Sequence, residues 1–301
     1  MGNLLRTENI CYRYDDNDFA IRNVSAAFDA GEITAVLGGN GAGKSTFFLC
    51  CNGVLRPQSG NIYLDGRMIS YGKQDLALLR QAVGLVFQDP DSQIIAGSVE
   101  GEVSFGPMNL RLPPAEVARR VAQSLEHMNL LACRDKSPHR LSGGEKKRLS
   151  IADILAMQPK IILFDEPTAS LDPTHTEALI NIIHILNDAG MALIISTHDV
   201  NFAYRVARRA LIFAHGEIIA DGEIGDVFSH DATLRAAGLK KPLLYEAYEI
   251  IRNGSQNGFN DSLSMQRPRT IDEFRALANG LFNSCGSGSV NSVNNDRRSG
   301  R

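Results

Sequence analysis

Ile33-Thr34-Ala35-Val36-Leu37 runs directly into Gly38-Gly39-Asn40-Gly41-Ala42-Gly43-Lys44-Ser45-Thr46, and this junction decides the fold. The first five residues read as a buried strand, the glycines break it, and a helix begins near Lys44. The spacing is GxxxxGK[ST], a pattern that carries meaning only with a strand before it and a helix after it. Both flanks are present. Glycines let backbone N–H groups close around phosphate oxygens, and the helix N-terminus adds positive potential. Lys44 is placed to reach the β- and γ-phosphates of a nucleotide, Ser45 to ligate Mg²⁺ and Thr46 to touch the α-phosphate.

Working outward, Ile21–Phe28 precedes Gly31 as a strand, and Asn61–Ile69 carries Asp65-Gly66 between alternating apolar residues, a hairpin signal. Val83–Phe87 is another apolar strand. From about Asp89 to Gln158 the texture is helical, with Glu116–His127 showing apolar positions at helical spacing. Strand texture returns at Ile161–Phe164, helix at His175–Asn187, and strand at Met191–Ser196. This alternation predicts an α/β fold with a parallel sheet, an N-terminal antiparallel β part and a helical insertion over about 90–158. Residues 206–227 read as short edge strands with turns at His215-Gly216 and Asp221-Gly222. The main domain is expected over 1–236, with 237–301 as a C-terminal extension. In the extension, 253–260 and 284–301 are rich in Asn, Ser and Gly and are expected to be disordered. Thr270–Phe282 is expected to form one helix, with Thr270 and Glu273 spaced as a capping box.

The 301 residues carry 31 basic and 34 acidic side chains, a net charge of −3, which points away from nucleic acid as a partner. The longest apolar runs fall far short of the ~20 residues a membrane span needs. Cys11, Cys50, Cys51, Cys133 and Cys285 form no CxxC pair, so reduced thiols are the expectation. Histidines are scattered, and no ligand cluster for a transition metal is visible.

Two further motifs bear on chemistry. Ile161-Ile162-Leu163-Phe164-Asp165-Glu166 is an apolar strand ending in two acids, where a parallel sheet presents its ligand crevice. Asp165 suits Mg²⁺ through water, and Glu166 suits polarisation of an attacking water. Leu141-Ser142-Gly143-Gly144-Glu145 reads first as a capping box for a helix over Lys146–Met157. Two glycines in a first turn are nevertheless poor helix formers, and they make sense where bare amides must approach an anion.

The phosphate loop, LSGGE, the FDEP strand end, Ser170-Leu171-Asp172 and Ser196-Thr197-His198-Asp199 occur in the order found in ATP-binding-cassette (ABC) ATPases. The sequence resembles that family over about residues 3 to 235. The resemblance implies ATP and Mg²⁺ as ligands. It makes Glu166 the catalytic base, His198 a γ-phosphate contact and Gln88 the glutamine that senses Mg²⁺ and water. It implies that Tyr14 stacks on adenine, that Asp172 communicates across a dimer, and that Ser142, Gly143 and Gly144 bind the γ-phosphate held by the opposite subunit. Gly38, Gly39, Asn40, Gly41, Ala42 and Gly43 form the loop, with Ser45, Gln88 and Asp165 as metal ligands. Glu145 stands where the family commonly has glutamine.

Phe87-Gln88-Asp89-Pro90-Asp91-Ser92-Gln93, Ser104-Phe105-Gly106-Pro107 and Lys146-Lys147-Arg148 are similar to the ATPase subunits of energy-coupling-factor importers, nearest the cobalt-importer branch. Ala237-Gly238-Leu239-Lys240-Lys241-Pro242 and Thr270–Phe274 are similar to the end of that branch. The resemblance implies a second ATPase subunit, as a homodimer, an integral-membrane transporter component and a substrate-binding membrane component. It implies a peripheral location at the cytoplasmic face of the membrane. Cobalt is the expected cargo, with nickel or a vitamin as the alternative. A soluble ABC ATPase without a transporter, and a nucleotide-binding module without turnover, are the rival classes.

Overall fold

The computed structural model describes residues 3–15, 19–169, 171–254 and 267–286. Ile33–Leu37 forms β3, buried along its whole length because strands flank it on both sides. On one side lie β8 (Ala192–Thr197), β7 (Ile161–Asp165) and β6 (Val83–Val86), and on the other β9 (Arg209–Ala214) and β10 (Glu217–Glu223). Pairing is parallel from β9 through β6, and only β10 runs antiparallel. Continuous apolar runs are what strands buried on both faces require. A second, antiparallel sheet has the order β2-β1-β4-β5, built from β1 (Leu5–Arg13), β2 (Phe19–Phe28), β4 (Ser59–Leu64) and β5 (Arg67–Met68).

Helix α1 (Lys44–Cys51) leaves β3 and shares one apolar core with residues of both sheets. Phe47 meets Phe28 and Phe213 with ring centroids 6.3 and 5.3 Å apart. Cys50 and Cys51 are wholly buried in this core, and burial pushes the Cys50 thiol up to about 12, so both act as small apolar fillers. After β5 comes α2 (Lys73–Ala82), for which the sequence reading had no helix. Between β6 and β7 lie α3 (Val99–Asn109), α4 (Pro114–His127) and α5 (Gly143–Ala156), the expected helical insertion. Then follow α6 (Pro173–Asp188), α7 (Val200–Val206), α8 (Ile224–Phe228) and α9 (Asp231–Ala236).

Some expectations need correction. Asp221-Gly222 is not a turn: both residues lie inside β10, paired with Leu211 and Ala210. The Asp221 carboxylate accepts two hydrogen bonds of 2.6 Å from Arg209 on β9, and this ion pair holds the dipeptide extended. The first compact unit runs to Lys240, past the expected limit at 236, because Gly39 of the phosphate loop donates its N–H to Ala237 O at 3.2 Å. The second unit holds α10 (Leu243–Gly254) and α11 (Ile271–Gly286). Asn253, Gly254, Ser284, Cys285 and Gly286, expected in disordered stretches, are helical, and the rest of those stretches lies outside the described residues. Thr270 Oγ accepts from Glu273 N, but the Glu273 carboxylate accepts from Arg269 N, one residue earlier than an ideal box. Among the described residues, no helix is long and apolar enough to cross a membrane.

Candidate active site

The register of the parallel sheet brings strand ends level. Leu37 of β3 lies opposite Thr197 of β8, and Ser196 of β8 lies opposite Asp165 of β7. The segments that leave these ends carry Lys44, His198 and Glu166. Gln88 follows the next strand, β6, and is exposed.

Gly43 precedes α1 with φ +105°, and a Cβ there would lie 2.4 Å from Ala20 O. Only glycine fits this tight approach of loop to β2. Lys44, 6% exposed, donates to Gly38 O at 2.7 Å and Gly39 O at 3.2 Å, and lies 3.3 Å from Glu166 Oε1. Asn40, Gly41 and Ser45 are exposed, Gly39 is half-buried and Ala42 buried. Thr46 Oγ1 is 3.3 Å from the hydroxyl of Tyr14, whose side chain is otherwise largely open.

Asp165 ends β7 and accepts a 2.5 Å hydrogen bond from Ser196 Oγ. Glu166 then turns sharply, with φ +42°, and its N–H donates to Ser196 O at 3.0 Å. A non-glycine residue held there is strained, by about 1–3 kcal/mol, and such strain collects at functional sites. The turn leaves the Glu166 carboxylate between Lys44 and His198, whose Nδ1 lies 3.0 Å from Glu166 Oε2. A buried ammonium, a buried carboxylate and an imidazole thus share one point.

The predicted capping box of α5 is complete: Glu145 N donates to Ser142 Oγ, and Ser142 N donates to Glu145 Oε2 at 2.8 Å. The helix starts at Gly143, ahead of the Lys146 expected. Gly143 faces open space, while a Cβ on Gly144 would lie 2.0 Å from the His175 ring. The second glycine therefore has a reason within this chain. His175 is itself held by Asp172, which caps α6 and accepts from His175 N at 2.8 Å. Ser170 lies outside the described residues. Ser142 and Gly143 are exposed, and neither is hydrogen-bonded to the phosphate loop among the described residues.

Lys147 was not singled out as a site residue. It lies on the buried stripe Gly144, Lys147, Ile151 and Leu155, where a lone cation among apolar residues is the available signal. Its Nζ donates to Phe87 O at 2.8 Å and Gln88 O at 3.2 Å. Burial pushes its ammonium down to about 8, with Asp165 and Asp89 acting against the fall.

The donor set fits a magnesium nucleotide. The cradle at Gly43 leaves no room for a side chain, and Lys44 supplies a buried cation for phosphate. Ser45, Gln88 and Asp165 offer the hard oxygen donors that Mg²⁺ prefers.

A family model described as ABC transporter matches residues 21–169. An energy-coupling factor transporter ATP-binding protein, EcfA, of Methanocaldococcus jannaschii is 40% identical over 94% of this chain and 99% of its own length. The chain belongs to the ABC transporter ATPases. A cobalt import ATP-binding protein, CbiO, of Rhodobacter capsulatus is 44% identical over 82% of this chain and 88% of its own. The solved structure of CbiO1 from Clostridium perfringens, part of the ABC transporter complex CbiONQ, superposes with a TM-score of 0.71. It is 36% identical and covers 83% of this chain and all of that one. As a member of this family, the chain binds ATP and is an ATPase.

This ABC ATPase also carries a groove of 610 Å³ where β6 and the loop after it meet α3 and α5, lined by Phe87, Phe105, Gly106, Asp153, Ile154 and Met157. Burial pushes the Asp153 carboxyl up to about 7, while a hydrogen bond from Gln93 lowers it and Glu102 raises it further. The folded state therefore keeps a proton that the unfolded chain releases near the usual 3.8. Stability falls as pH rises from about 4 to about 7, then stays level. Asp153→Asn, which retains an acceptor for Gln93, should raise Tm at pH 8 and give little gain at pH 4. About 1.4 kcal/mol per pKa unit limits the gain at pH 8 to roughly 4 kcal/mol. Equal shifts at both pH values in thermal melts contradict the assignment.

Proposed function

We propose that this chain is the ATP-hydrolysing subunit of an energy-coupling-factor-type importer, that it works as a homodimer, and that its cargo is cobalt ion. The observation that carries the catalytic part is the meeting of Lys44, Glu166 and His198 at level strand ends. Lys44 and the loop from Gly38 to Gly43 hold the β- and γ-phosphates, with Thr46 at the α-phosphate and Tyr14 against adenine. Ser45, Asp165 and Gln88 would hold Mg²⁺, which would supply positive charge against the phosphates. Glu166 takes the proton of the attacking water, and His198 orients the γ-phosphate. Ser142, Gly143 and Gly144 act on the nucleotide of the second subunit, a reading supported by the exposure of Ser142 and Gly143 at the start of α5. Asp172 relays between the two sites.

The groove beside Gln88 is the docking place for a helix of the integral-membrane component, and a substrate-binding membrane component completes the importer at the cytoplasmic face. A cation on the docked helix near Asp153 relieves the cost of its buried carboxylate. The relative named for cobalt import, and the neighbour from the CbiONQ complex, support the cargo. Relatives of similar identity carry the broader name EcfA, so nickel and vitamins are the alternatives to test.

Glu166→Gln should retain ATP binding and lose about 10²–10⁴ in kcat, the usual worth of a positioned base; phosphate release at wild-type rate rejects that role. Cells carrying the native transporter should take up radiolabelled cobalt and lose uptake in Lys44→Ala. Lys44-dependent vitamin or nickel uptake without cobalt uptake overturns the cargo, and no Lys44-dependent uptake at all overturns the importer.

A further inference from the structure

A lysine with 4% exposure on a helix stripe that otherwise holds Gly144, Ile151 and Leu155 is costly to keep charged. Its ammonium directs its donors to two consecutive carbonyls, those of Phe87 and Gln88, at 2.8 and 3.2 Å. Those carbonyls belong to the peptide groups on either side of the Gln88 Cα. Holding both planes sets φ and ψ at Gln88, and with them the direction of its Cα–Cβ bond. The Gln88 side chain is exposed and accepts no hydrogen bond that would aim it from elsewhere among the described residues. Its aim therefore comes from the backbone.

We propose that Lys147 is a positioning residue that links the helix bearing LSGGE to Gln88, so that movement of that helix re-aims the glutamine. The proposal rests on the reading of Gln88 given above. Lys147 lies only five residues beyond Ser142, in the second turn of α5, whose first turn faces outward at Gly143. A rigid helix transmits a displacement of its N-terminus to that point. Two other ties flank the same segment: Lys146 pairs with Asp91 at 2.7 Å, and Gln93 donates to Ser150 O at 2.9 Å and to Asp153. The first is at the surface and counts for little. Neither touches Gln88.

The test is a double-mutant cycle on ATP hydrolysis by the full chain, with Lys147→Met, Gln88→Ala and both together. If Lys147 acts through Gln88, Lys147→Met lowers kcat about tenfold while KM for ATP moves less than about threefold, the pattern of a lost transition-state interaction. The double variant is then no slower than Gln88→Ala, because two residues in one network do not add. Lys147→Arg, which keeps charge and donors, recovers most of the loss. Should Lys147→Met fail to fold in thermal melts, Lys147→Gln enters the cycle in its place. Losses that multiply in the double variant, or wild-type kcat on losing Lys147, overturn the proposal. Wild-type kcat in Gln88→Ala alone instead overturns the reading of Gln88, and the proposal with it.

Discussion

The 3.3 Å approach of Lys44 to Glu166, both buried residues, joins the phosphate loop on β3 to the acidic end of β7 across the intervening β8. A buried ion pair adds little stability over apolar packing, and losing one partner is expensive. Its presence therefore constrains everything around it. The three strands must end level, Glu166 must leave the sheet through a strained turn, and Ser196 must hold that turn through both its carbonyl and its hydroxyl. His198, the first residue past β8, lies beside the same carboxylate.

Helix α5 is the second constraint. Its first turn is exposed at Ser142 and Gly143, its third residue closes a capping box, and its buried face carries Lys147 toward the segment around Gln88. Gly144 is pressed by His175, which Asp172 holds in place. One short region thus connects the outward-facing amides, the residue that caps α6 and the backbone of the glutamine. The groove containing Asp153 opens beside that same segment.

Much of this was legible in the residues. Apolar runs that stop at glycine or at an acid announce buried strand ends, and the phosphate loop and Asp165-Glu166 follow from that pattern, whereas His198 is singled out only through the resemblance to ABC ATPases. Other parts were hidden by tertiary effects. Asp221-Gly222 has turn chemistry, yet Arg209 across the strand pair keeps it extended. Lys147 resembles its basic neighbours Lys146 and Arg148 in composition and differs only in facing inward. The reason for Gly144 lies on another helix, 31 positions away in sequence, at His175. Helices α7, α8 and α9 span only seven, five and six residues, too few for a helical period to show, whereas α2 and α10 carry an amphipathic pattern in sequence that was passed over.

The central claim is that each catalytic site draws Lys44 from one subunit and Ser142 from the other. Lys44→Ala and Ser142→Arg subunits, each inactive alone, can be mixed and assayed for phosphate release. A shared site predicts that activity returns in the mixture, to about a quarter of wild type if subunits pair at random and sites act singly, since each mixed dimer keeps one intact pair. It predicts no such return when wild type is omitted and both changes sit on the same subunit. Activity that stays absent from the mixture while mixed dimers demonstrably form contradicts the claim.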